Sequence, residues 1–264
     1  MEQKKITLSV TSGDRVLATA CGSGKVVLVY DNEYLPGDEI RIETNQAGYF
    51  VIQLEDTLGE TLVYWDGTMF YWPIPFGEER TSYNPRAFEG VRHCLIVRAA
   101  HKDEVTCRRN LARNIYDRNQ NKGMFPHAWA NVETRNEAVF AARNAIDGVI
   151  CPQSHGRYPY QSWGINRRPD AQWHLELGRP VKAESLVITT RADFPHDAWW
   201  VQATLQLSNG THRTLSLKKS AEGQSFDLHG TVITGLSLCE LIKSDDPSPF
   251  PALTQVELYG YDTL

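Results

Sequence analysis

Apolar and β-branched residues recur along this chain in short runs, each closed by a turn-forming residue. "KVVLVY" (25–30), "EIRIET" (39–44), "YFVIQL" (49–54), "TLVYW" (61–65) and "HCLIVRAA" (93–100) fill the first hundred positions. Alternation, or an apolar run of that length, marks a strand, because successive side chains of a strand point to opposite faces. Between the runs, "YLPGDEI", "NQAG", "DTLGE" and "WDGT" supply the Gly, Pro, Asn and Asp that tight turns use. No helical pattern is interleaved with them. An antiparallel β-sandwich is therefore predicted rather than a doubly wound sheet.

Residues 101–136 break the rhythm, being rich in Asn, Arg and Asp, and read as an irregular connector. "NEAVFAARNAID" (136–147) predicts a short helix or turn leading into a second module. The strand pattern then resumes in "QWHLELG" (172–178), "AESLVITT" (183–190), "VQATLQLS" (201–208), "HRTLSL" (212–217), "QSFDL" (224–228), "VITGLSLCELI" (232–242) and "LTQVELYGY" (253–261). In "WHLEL", Trp173, Leu175 and Leu177 share one face and His174 and Glu176 the other, as in a half-buried strand. Ser208-Asn209-Gly210 predicts a hairpin, since Asn-Gly suits the left-handed turn that joins twisted strands. The expected fold is all-β: two tandem antiparallel, jelly-roll-like β-sandwich domains, over residues 1–135 and 136–264.

The second half resembles the discoidin, or coagulation-factor C-type, domains of the galactose-binding-like β-sandwiches. The resemblance rests on "NAIDG" (144–148), Trp163 in "SWGIN", "AQWHLELGRPVKAESLVI" (171–188), "ATLQLSNGT" (203–211) and the closing "LTQVELYGY", in that order over residues 136–262. It implies a carbohydrate ligand bound at the loop rim of the second sandwich. It also implies a structural calcium ion under those loops, held by Asp147 of the "DG" turn, Glu257 of the last strand and backbone carbonyls, the oxygen-only set a hard cation takes. Cys151 and Cys239 do not stand at the terminal positions where extracellular members carry their paired cysteines.

Two loops match that rim. "RADFPHDAWW" (191–200) offers Arg191, Asp193, His196 and Trp199, and "SHGRYPYQSW" (154–163) offers His155, Arg157, Tyr158 and Tyr160. A sugar site needs flat aromatic surface for the C–H face of the ring and polar groups that fix hydroxyl directions. The competing reading is structural. Trp163 and one of Trp199 and Trp200 fill the core, since neighbours in a strand face opposite ways, and Arg191 pairs with Asp193 or Asp197. "MFPHAWANVETRNE" (124–137) reads either as a seam between the modules or as a groove carrying His127 and Trp129. "YWDGTMFYWPIPFGEE" (64–79) reads mainly as core.

Composition narrows the function. A net charge of −5 argues against a nucleic-acid partner. No apolar stretch approaches a membrane span, and no apolar leader opens the chain, so a cytoplasmic location is expected. Five scattered cysteines without a CxxC pair fit reduced thiols rather than disulfides or zinc. No nucleophile elbow, metal-binding HExxH or phosphate loop is present in the sequence, and no catalytic residue is assigned. The reading that results is a non-catalytic carbohydrate-binding protein, alone or alongside a partner enzyme. Two rivals stay open: a glycoside hydrolase or lyase using Asp193, His196 or His127 in an inter-domain cleft, and a protein-interaction module. The sequence does not indicate an oligomeric state.

Overall fold

The computed structural model describes residues 4–121, 123–151, 156–192 and 198–263. Along the first hundred of these run β1 (Lys5–Ser12), β2 (Arg15–Ser23), β3 (Lys25–Tyr30), β4 (Asp38–Thr44), β5 (Gly48–Gln53), β6 (Thr61–Trp65), β7 (Met69–Pro73) and β8 (His93–Ala99). They build two antiparallel sheets, β2–β1–β4–β7 and a second whose order ends β6–β5–β8–β3. The alternation dictates which side is buried. In β3, Val26, Leu28 and Tyr30 turn inward while Val27 and Val29 stay exposed. The aromatic stretch at 64–79 is chiefly core, as Trp65, Phe70 and Trp72 are buried and Tyr71 is not.

The connector holds β9 (Arg109–Asn110), β10 (Met124–Phe125) and β11 (His127–Ala130), which pair in different directions. β10 returns to β6 of the first module. The predicted helix or turn at 136–147 forms two short 3-10 turns, Ala138–Phe140 and Ala142–Ile146. Beyond them come β12 (Trp163–Gly164), β13 (Trp173–Arg191), β14 (Trp200–Leu207), β15 (His212–Ser216), β16 (Gln224–Lys243) and β17 (Ala252–Asp262). These lie in the order β12–β17–β13–β16–β14–β15, with β11 added beside β13 and β9 beside β17. The hairpin at Asn209-Gly210 joins β14 to β15 as predicted. The fold is all-β and antiparallel throughout.

Two pairs of predicted strands are each one long strand. "QWHLELG" and "AESLVITT" merge into β13, and "QSFDL" and "VITGLSLCELI" into β16. Gly178-Arg179-Pro180 shifts the register instead of reversing the chain. Gly178 takes a φ of +68°, and a Cβ there would meet the Phe125 ring at 2.1 Å. Across this bulge β13 exchanges β11 for β17 as its neighbour. Gly260 is equally constrained, because a Cβ would lie 2.1 Å from the Lys182 carbonyl oxygen on the paired strand.

Two hydrophobic clusters result, one drawn from residues 6–124 and one from residues 111–258. Polar ties cross between them. Asp262 accepts hydrogen bonds from Tyr49 Oη at 2.9 Å and Arg179 Nε at 2.5 Å, and pairs with Arg109. Arg143 donates to Ser82 and lies over the Tyr83 ring at 4.4 Å. Among the described residues, no helix is long and apolar enough to cross a membrane.

Candidate functional site

One end of the eight-stranded sheet, which holds β12 to β17, gathers several strand termini. Arg191 at the end of β13 pairs with Ala252 at the start of β17, and β12 adds Trp163 opposite Leu253. Nearby in the same sheet, Trp200 at the start of β14 faces Lys243 at the end of β16. The two tryptophans seal this end from inside. Both are buried, their rings 6.2 Å apart, and Trp163 Nε1 donates to the Val132 carbonyl at 2.8 Å. Trp199, its neighbour in sequence, is only half-buried, with the Lys219 ammonium 5.5 Å above its ring.

Between the 164–167 turn and the 249–252 segment lies a pocket of about 140 Å³. Phe250, 36% exposed, forms one wall, with the Arg167 guanidinium 4.6 Å over its ring. Phe140 forms another, stacked under Arg135, whose guanidinium is held bidentately by Glu137 at 2.5 and 2.6 Å. Asn166 and Arg167 take left-handed φ values of 48° and 60°, and the Thr134 hydroxyl holds the turn by accepting from Asn166 N–H at 2.9 Å. Ser162 stands behind the pocket wall; its Oγ is fully buried and has no hydrogen-bond partner among the described residues.

The residues expected at this rim that the structure describes do not all line one pocket. Asp193, His196 and His155 lie outside the described residues. Arg191 lines the pocket but is only 2% exposed, its Nη1 donating to the Tyr160 carbonyl at 2.6 Å. A cation held that deep is part of the packing. Tyr158 and Tyr160 instead border a shallow groove against Gly77–Glu89 of the first module, and Arg157 is exposed. His127 does not open into a groove. It is locked at 2.8 Å to buried Asp117, which outweighs the opposing effect of burial and raises the imidazole pKa.

Asp147 and Glu257 are held by different partners. Asp147 accepts from Val149 N–H at 2.8 Å and from the side-chain amides of Gln161 and Gln255. Glu257 accepts the Tyr259 hydroxyl at 2.8 Å. Burial pushes the Asp147 carboxyl up to about 7, although these N–H groups and the more distant Arg143 and Arg113 pull the other way. Among the described residues, no group of three or more His, Cys, Asp or Glu side chains is placed to hold a metal ion.

A second aromatic surface lies on the face of the sheet. Trp129, 40% exposed, stacks on His174 with 3.8 Å between centroids and donates from Nε1 to Glu176 at 2.9 Å. His174 is anchored in turn on Ser237 at 2.6 Å. In a further pocket lined in part by Trp72, Glu78, Glu133 and Arg143, the carboxylates of Glu78 and Glu133 serve the backbone. Glu78 accepts Ala138 N–H and Glu133 accepts Ala142 N–H, each at 2.7 Å.

No protein-family model matches the chain, and no curated protein matches it. Among solved structures it is similar to the family 32 carbohydrate-binding module of C. perfringens NanJ in complex with galactose, at 16% identity and a TM-score of 0.38 over 50% of this chain and 91% of that one. It is also similar to a fucose-binding module of Streptococcus pneumoniae, SpX-3, at 18% identity and a TM-score of 0.39 over 58% and 98%. The lectin domain of Lectinolysin complexed with Lewis B antigen is a third, at 14% identity and a TM-score of 0.41 over 59% and 97%.

Proposed function

We propose that this protein is a non-catalytic carbohydrate-binding protein and that the pocket between Arg167 and Phe250 receives the sugar. The observation that carries the reading is an exposed aromatic wall set beside polar and cationic side chains at the mouth of one pocket. Phe250 offers an apolar face to the C–H side of a pyranose, and Arg167 and Asn166 offer donors at the mouth. That combination of apolar surface and few convergent polar groups is how small-molecule sites gain affinity and orientation. No paired carboxylates of the kind glycoside hydrolysis uses line this pocket among the described residues.

A glycan array with the full chain, followed by calorimetric titration of the best sugar, tests the proposal. Phe250→Ala and Arg167→Ala are each expected to weaken binding roughly tenfold or more. The melting temperature should hardly move, because both side chains stand at the surface. An array without signal, or unchanged affinity in both variants, overturns it.

A further inference from the structure

The resemblance of the second half to discoidin domains implies a cation beneath the loops, and the side chains present do not fit one. Gln255 is buried on β17 beside the 142–146 turn. Its Oε1 accepts the Gly148 backbone N–H at 2.8 Å. A backbone N–H only donates, so this contact fixes which end of the amide faces which way. Nε2 therefore points into a nest of oxygens: Asn144 O at 3.1 Å, Thr254 O at 3.2 Å and Asp147 Oδ1 at 3.3 Å. The other Asp147 oxygen takes the Gln161 amide at 3.1 Å.

These are hydrogen-bond distances. A hard cation draws its oxygen ligands in to about 2.3–2.6 Å and calls for more negative charge than one carboxylate supplies. Here an N–H₂ group stands where the oxygens converge, and its protons would face any cation placed among them. Glu257, the other implied ligand, is engaged with Tyr259.

We infer that the amide of Gln255 takes the place of a bound cation, pinning the 142–148 turn to the last strand so that the second module needs no metal. Asn144, Asp147, Gly148 and Thr254 are thereby joined through one side chain of the chain itself. The inference is independent of whether the rim pocket binds sugar. It also states what a single substitution would do. Glutamate at 255 keeps an oxygen for Gly148 N–H and adds a second beside Asp147, turning the nest into a two-carboxylate, all-oxygen site.

Thermal unfolding of the wild-type chain in EDTA and in millimolar calcium chloride, with elemental analysis after dialysis, is the first measurement. The same melting temperature in both and no retained calcium are expected. A fall in EDTA, or one equivalent of calcium retained, overturns the inference. Gln255→Glu should melt lower than wild type in EDTA and recover by about 5 °C in calcium. Gln255→Ala should be destabilised equally in both. A folded Gln255→Glu protein indifferent to calcium, or one that folds in neither condition, counts against the nest as described.

Discussion

Asp262 and Asp147 are the same residue type at the same depth, 8% and 4% exposed, and their surroundings treat them in opposite ways. Asp262 closes β17 between the guanidiniums of Arg179 and Arg109 and under the Tyr49 hydroxyl of β5. Burial pushes its carboxyl upward, but the two arginines outweigh that and hold it below the ordinary carboxylate value. Asp147 is given only neutral N–H donors at bonding distance, and burial prevails. Amides fix where a carboxylate stands; opposite charge fixes whether it is ionised. The Asp262 knot is thus built on ionic bonds within its own sheet, and the loop base around Asp147 on neutral ones.

The contrast predicts a ranking. Asp262→Ala strands buried Arg179, and breaking a buried ion pair by removing one member costs about 3–5 kcal/mol. Urea unfolding of the full chain should show this as the larger of the two polar losses. Gln161→Ala removes one neutral donor from Asp147 and should cost about 1–3 kcal/mol. The reverse order would mean that the loop base, not the Asp262 knot, carries the heavier polar load. Among the adjacent tryptophans, Trp200→Ala opens the core for about 3–5 kcal/mol, while Trp199→Ala stays within about 0.5 kcal/mol.

Much of this architecture was legible from alternation alone. The inward set Trp173, Leu175 and Leu177, the Asn-Gly hairpin, and the burial of Trp163 with one member of the 199–200 pair follow from the two-residue period of a strand. The continuity of β13 was not legible, because Gly-Arg-Pro reads as a turn unless the partner strand is known to carry on past it. Nor was the partner of Asp147. Residues 255 and 257 stand two apart on the same strand, and only the register decides which one meets the turn. Arg191 looked like a surface group because arginine is rarely buried. The pocket wall was missed despite a signal in "PSPFP" (247–251), where a phenylalanine set between prolines in a polar loop has no strand to bury it.

The smallest expected effect is the most discriminating, because it turns on sign. For Asp262 the folded-state pKa lies below the unfolded one. Its contribution is complete above the ordinary carboxylate value and is lost as pH falls through the folded pKa. For Asp147 the folded value is raised to about 7. Its contribution is complete below the ordinary carboxylate value, shrinks as pH rises toward about 7, and is constant beyond. Asparagine at either position cannot titrate. The urea midpoint of wild type relative to Asp147→Asn should therefore decline between about pH 4 and pH 7. Relative to Asp262→Asn it should hold over that window and decline only below it. If both differences ran in the same direction with pH, neutral donors and arginines would be holding the two carboxylates in the same charge state, and the distinction between the two knots would be one of position alone.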